Sequence, residues 1–110
     1  MRISECPVRA TADVIDGKWK PQIINSLKAG RMRFGRLCRS VPEASIKVIT
    51  AQLRELEKDG IVLRKVVSLK PLQVEYSLTP YGKTLVPVLT EMAAWGKKHQ
   101  RLILAAKRIA

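Results

Sequence analysis

Two cysteines, Cys6 and Cys38, and one histidine, His99, are the whole supply of thiol and imidazole in this chain of 110 residues. Their spacing matches no zinc or haem pattern, and the nine scattered acids compose no Ser/His/Asp set and no paired-carboxylate pocket. Neither is there a Gly-rich phosphate loop. No metal, no cofactor and no enzymatic activity are therefore expected. What remains is thiol chemistry. Cys38 follows Phe34 by four residues, on the apolar side of a helical period, and reads as a small core residue. Cys6 precedes Pro7 at the start of a helix, where unpaired N–H groups and the helix dipole favour a thiolate. Arg2 and Arg9 add positive charge there and Glu5 opposes them. Cys6 is expected to be the more reactive thiol.

The second chemistry is ionic. The formal net charge is +12, which calls for an anionic partner: nucleic acid, an anionic membrane surface or an acidic protein. The charge lies in blocks. Lys18, Lys20, Lys28, Arg31, Arg33, Arg36 and Arg39 fall between Gly17 and Pro42 without one acid, and Lys97, Lys98, Arg101, Lys107 and Arg108 follow Met92, again without an acid. A single block is usually a solvated face, whereas two in one small chain favour a binding role. One Phe, two Tyr and two Trp are too few stacking platforms for a sheet that reads RNA.

The elements that must position these residues are marked by punctuation. Pro7 to Ile15 forms a first helix ended by Gly17, and Pro21 opens a second that carries Ile23, Ile24 and Leu27 and closes at Gly30. Phe34, Leu37 and Val41 mark a third helix stopped by Pro42. Ser45 caps a fourth, whose apolar stripe is Ile46, Ile49, Leu53 and Leu56, with Asp59-Gly60 at its end. Beyond Gly60 the period shortens to that of strands, at Ile61 to Val67 and at Val74 to Leu78. The segment from Ser68 to Gln73 reads as a loop too long for a two-residue turn. Thr79 caps a last helix with Pro80 in its first turn, bearing Leu85, Val88, Leu89, Met92 and Trp95. Gly82 stands where a capping-box Glu would help, and Pro87 and Gly96 predict a kinked or two-part helix. Trp19 and Trp95 read as core or dimer-seam aromatics.

Short helices followed by a two-stranded hairpin with a basic loop give an α+β, mostly α fold, a winged helix-turn-helix spanning residues 1–110 as one domain. On the fourth helix the core stripe is opposed by Lys47, Ala51, Arg54 and Lys58, with Val48, Thr50 and Glu55 at the margins, a face fitted to a major groove. The expected contacts to double-stranded DNA are Arg33, Ser45, Lys47, Val48, Thr50, Ala51, Arg54 and, in the wing, Lys70. The last helix and Leu102, Ile103 and Ile109 carry more apolar surface than so small a core can cover. Residues 1–20 and 80–110 are therefore assigned to a homodimer interface. No apolar run exceeds Leu102 to Ala106, and residues 1–6 contain no signal-peptide core. A cytoplasmic location, with no membrane partner, is expected.

The residues also carry a resemblance. Cys6-Pro7-Val8, Asp13 to Trp19, Arg33-Phe34, Thr50 to Gly60, Val74 to Thr79 and Trp95-Gly96 together resemble the HxlR-type regulators, bacterial winged-helix transcription factors related to the MarR group. The resemblance implies a homodimeric, sequence-specific DNA-binding regulator, most often a repressor, with first and last helices at the dimer seam. It also implies a redox-sensing role for Cys6 toward an oxidant or electrophile, since several members sense through a cysteine here while others merely carry one. Two positions depart from the pattern: Asp16 replaces a common Gly, and Ile46 stands where a polar residue is usual. The alternatives are a basic architectural protein that coats DNA without sequence preference and a module for an acidic protein.

Overall fold

The computed structural model describes residues 3–109, without the side chain of Ile109. The expected contributions of Arg2 to the Cys6 environment and of the Ile109 side chain to a dimer face lie outside the described residues.

Six helices and three strands follow one another among the described residues: α1 (Pro7–Val14), α2 (Lys20–Leu27), β1 (Met32–Arg33), α3 (Phe34–Ser40), α4 (Ile46–Lys58), β2 (Val62–Leu69), β3 (Leu72–Leu78), α5 (Pro80–Lys83) and α6 (Val86–Ile109). The strands form one antiparallel sheet in the order β1-β3-β2. Ile23, Ile24 and Leu27 of α2, Leu37 of α3, and Ile49, Leu53 and Leu56 of α4 meet Val62, Tyr76 and Leu78 of the sheet in a single core. Burying one stripe of each helix against one sheet face is what makes so short a chain fold.

The ends of α4 are fixed by local chemistry. The Val48 amide donates to Ser45 Oγ at 3.1 Å. At the other end Gly60 turns left-handed at φ +75°, so that its N–H reaches the Glu57 carbonyl and the Ile61 N–H reaches that of Leu56. The next start repeats the device, the Gly82 amide donating to Thr79 Oγ1 at 2.8 Å. Gly82 is required for another reason: a Cβ there would run into the Ile61 carbonyl oxygen.

Four expectations are corrected. A third strand, β1, pairs with β3 through Met32↔Tyr76 and Arg33↔Glu75; two residues show no alternation to detect. The hairpin is longer than expected, because Ser68↔Gln73 and Leu69↔Leu72 continue the ladder and leave a tight turn, Lys70-Pro71, with a cis peptide. Ile46 is 63% exposed and not part of the core, since the first turn of α4 projects past it. The last helix is two-part, as expected, but it divides before Pro87, which sits harmlessly in the first turn of α6, and α6 continues through Gly96.

The 24 residues of α6 extend about 36 Å. Among the described residues its beginning touches the core, through Val86 and Leu89. The radius of gyration is accordingly 16.0 Å, against about 13 Å for a compact chain of this length.

Candidate nucleic-acid interface

Helices α3 and α4, separated by residues 41–45, form the helix-turn-helix, and α4 is split lengthwise by its own sequence. Ile49, Leu53 and Leu56 are fully buried, while Lys47, Val48, Ala51, Arg54 and Lys58 are exposed on the far side. Positions 47, 51, 54 and 58 recur at the helical period, so these side chains form one stripe. Thr50 lies at its margin, and its hydroxyl donates to the Ile46 carbonyl at 2.8 Å, which leaves the oxygen as an acceptor. Ser45 is exposed and spends its oxygen on the cap. Ile46 adds an apolar group that periodicity alone assigned to the core.

Between α4 and the hairpin lies an open cleft of roughly 570 Å³. Its floor is aromatic, Phe34 against Tyr76 with ring centroids 6.1 Å apart, and its walls carry Thr50, Arg54 and Glu57 of α4 and Arg64, Leu72 and Val74 of the hairpin. Arg64 was not singled out from sequence, although its place two residues after buried Val62 puts it on the same sheet face. Lys70 stands exposed in the turn at the hairpin tip. Arg33 is not brought to this cleft. Its partner Glu75 lies one residue from Tyr76 on β3, so Arg33 and Glu75 share the opposite face of the sheet.

A polar contact ties α4 to the start of α2. Lys20 is only 4% exposed, and its ammonium pairs with Glu55, which remains open to water. Three residues earlier on α4, Gln52 Oε1 accepts the Trp19 amide at 3.0 Å. A Cβ at Gly17 would press on the side chains of both Lys20 and Gln52, so glycine lets the Gly17–Lys20 segment lie close against α4 without displacing them.

The two thiols differ as expected in setting. Cys6 is exposed at the N-cap of α1. Cys38 is half-buried against the core, and burial pushes its thiol above the usual range, with Arg39 opposing part of the rise. Trp19 packs on the core, whereas Trp95 is 67% exposed and stacks on His99 with ring centroids 5.1 Å apart. Val88, Met92, Leu102, Ile103 and Leu104 of α6 are also exposed, and α1 buries no residue completely. Among the described residues no group of three or more His, Cys, Asp or Glu could hold a metal ion, and no helix is long and apolar enough to cross a membrane.

This arrangement recurs in known proteins. The chain is 44% identical over 95 residues to the HTH-type transcriptional regulator YdeP of Bacillus subtilis, covering 86% of this chain and 74% of that protein. A regulator of Methanothermobacter thermautotrophicus is 38% identical over 94 residues, covering 86% of this chain and 72% of that one. Among solved structures, the redox regulator HypR in its reduced form superposes with a TM-score of 0.84 at 42% identity, over 91% of this chain and 99% of that one. The reduced form of the transcriptional regulator YodB from B. subtilis superposes with a TM-score of 0.73 at 33% identity, over 86% and 94% of the two chains. The HxlR-like helix-turn-helix profile matches residues 14–103, and the chain belongs to that family of winged-helix transcriptional regulators.

Proposed function

We propose that the protein is a cytoplasmic homodimeric repressor that binds a palindromic DNA site, with α4 of each subunit in a major groove. The observation that carries this reading is the divided helix: a fully buried stripe fixes α4 on the core, while Lys47, Val48, Ala51 and Arg54 face outward in register. Arg54 suits a guanine edge, the Thr50 oxygen accepts from an exocyclic amine, and Val48, Ala51 and exposed Ile46 suit thymine methyl groups. Lys47 at the helix start, Lys70 in the wing and Arg33 on the other sheet face neutralise phosphates, and the Ser45 hydroxyl, whose oxygen accepts the Val48 amide, donates its proton to one. The homodimer is supported by the uncovered apolar surface of α1 and α6, and a palindromic site asks its two recognition helices to stand about 34 Å apart, one turn of DNA.

Cys6 is the sensing thiol in this reading. It is exposed at the start of α1, an element of the proposed seam, so an oxidant or electrophile that modifies it rotates one subunit against the other and changes the spacing of the two α4 helices. HypR is a redox regulator and YodB has a crystal structure of its diamide-treated form, and kinship with them supports this role. The test is footprinting on a duplex selected from random sequence, before and after treatment with diamide or a quinone. Two protected half-sites that are lost on oxidation, and retained in Cys6→Ser, are expected. Protection spreading evenly along any DNA would favour an architectural coat, and identical oxidation responses of wild type and Cys6→Ser would remove the sensor.

A further inference from the structure

The hairpin tip is apolar in a way that phosphate binding does not explain. Leu69 and Leu72, which flank the Lys70-Pro71 turn, are 79% and 63% exposed and stand opposite each other as the last pair of the ladder. Cross-strand partners share a sheet face, and residues 72, 74 and 76 alternate onto one face, so both leucines look the same way as Val74 and Tyr76. That is the face turned to α4, because Leu72, Val74 and Tyr76 line the cleft together with Thr50 and Arg54. The polar pair Ser68 and Gln73 comes next in the ladder, and beyond the bulge between Val66 and Ser68 the next pair on the Val74 face, Val66 and Val74, is apolar too. Among the described residues nothing covers this end: Leu69 lies seven residues past buried Val62, about 23 Å along the strand.

We propose that this tip is an apolar wedge for the DNA minor groove, Leu69 and Leu72 lying against deoxyribose edges and a base step while Lys70 holds the adjoining phosphate. The proposal rests on α4 being the major-groove element, and it deepens that reading by naming what the wing touches. Three observations select this occupant. The wedge is continuous with the α4 cleft, so a duplex seated on Arg54 runs past it. Its reach exceeds the width of a major groove, about 12 Å, and carries the tip over the phosphate backbone to the neighbouring groove. Its surroundings are cationic, with Arg64, Lys65 and Lys70 on the hairpin against one acid, Glu75. Leucine cannot bond phosphate, but the walls of a minor groove are sugar C–H groups, and apolar side chains inserted there part base steps at a cost repaid by added contact. Flanking sequence would then be read through deformability.

The experiment measures affinity of the full chain for its selected duplex across a salt series. Leu69→Ser/Leu72→Ser should weaken binding roughly tenfold to a hundredfold with an unchanged salt slope, because no counterion is released by a leucine. Lys70→Ala should reduce the slope by about one unit. Leu69→Met/Leu72→Met, which keeps the apolar contact, should bind like wild type. Replacing flanking adenines by 2,6-diaminopurine places an amino group in the minor groove without altering the major-groove edge, and should weaken wild type but not the serine variant. Serine variants that bind as well as wild type, or indifference to diaminopurine, would overturn the wedge while leaving α4 recognition intact. Wild type that prefers no duplex over random DNA would overturn α4 recognition and the wedge with it. Loss of dimerisation by the serine variant, or leucine-dependent binding to vesicles of anionic lipid, would reassign the tip to a second copy or to a membrane surface.

Discussion

The segment from α2 to α5 and the two flanking helices obey different rules. From Lys20 to Lys83 every regular element except β1 contributes at least one buried residue, and α4 is apolar on one side and polar on the other. In α1 no residue is buried, and in α6 the large apolar side chains beyond Leu89 face outward. The first region satisfies itself; in the proposed dimer the second is covered by a partner subunit. Val14 of α1 and Val86 and Leu89 of α6 reach the core, and the exposed apolar side chains beyond them are the surface that the proposed dimer would bury.

The largest expected effect breaks the self-sufficient half. Leu53 is fully buried at the centre of α4, so Leu53→Ala should cost about 2–5 kcal/mol, read by urea unfolding, through lost burial and the cavity left behind. The flanking half should respond oppositely. Met92→Lys/Trp95→Lys should leave the unfolding midpoint of the α2–α5 core nearly unchanged while converting the protein to a monomer in sedimentation. A variant that stays dimeric would move the seam away from α6.

An ion pair inside the self-sufficient half sharpens the contrast further. Lys20 is buried and its partner Glu55 is not, so removing either member has unequal consequences. Glu55→Ala strands an ammonium and should cost about 3 kcal/mol, whereas Lys20→Met leaves a carboxylate in water and should cost about 1 kcal/mol or less. Equal losses in urea unfolding would show that burial of Lys20 is not what makes the pair matter.

A smaller effect separates the thiols. Iodoacetamide should label exposed Cys6 first, and Cys38 should lag because it is half-buried and its thiol is shifted upward by burial. The raised value means that the folded state holds the Cys38 proton more tightly than the unfolded chain. Its contribution to stability is therefore full below the ordinary thiol range and is lost as pH rises through that range toward the folded value. Cys38→Ala should flatten this alkaline loss.

Which parts were legible in the sequence follows from the range of the interactions. Ser45, Thr79, Gly60 and Pro21 announce helix ends because a cap is a contact within a few residues. The α4 stripe is legible for the same reason, and with it Lys47, Ala51 and Arg54. Strand β1 was not, because Met32 and Arg33 become a strand only by pairing with Tyr76 and Glu75, more than 40 residues away. The same pairing puts Arg33, expected among the DNA contacts, on the sheet face opposite the α4 cleft. Ile46 follows the apolar period yet stands clear of the core, since periodicity gives a direction and not the extent of what lies there. The wing tip was misjudged because Lys70 and Pro71 signal a break, while Leu69 and Leu72 resume the ladder immediately.

The central claim is that α4 reads sequence. It is tested most directly by titrating wild type and Arg54→Ala against the selected duplex and against random DNA at one salt concentration. Wild type should prefer the selected duplex by roughly a thousandfold or more, and Arg54→Ala should narrow that preference by about tenfold to a hundredfold while binding random DNA almost as before. Equal weakening on both DNAs would contradict the account, reducing Arg54 to a phosphate contact and α4 to a helix that holds DNA without reading it.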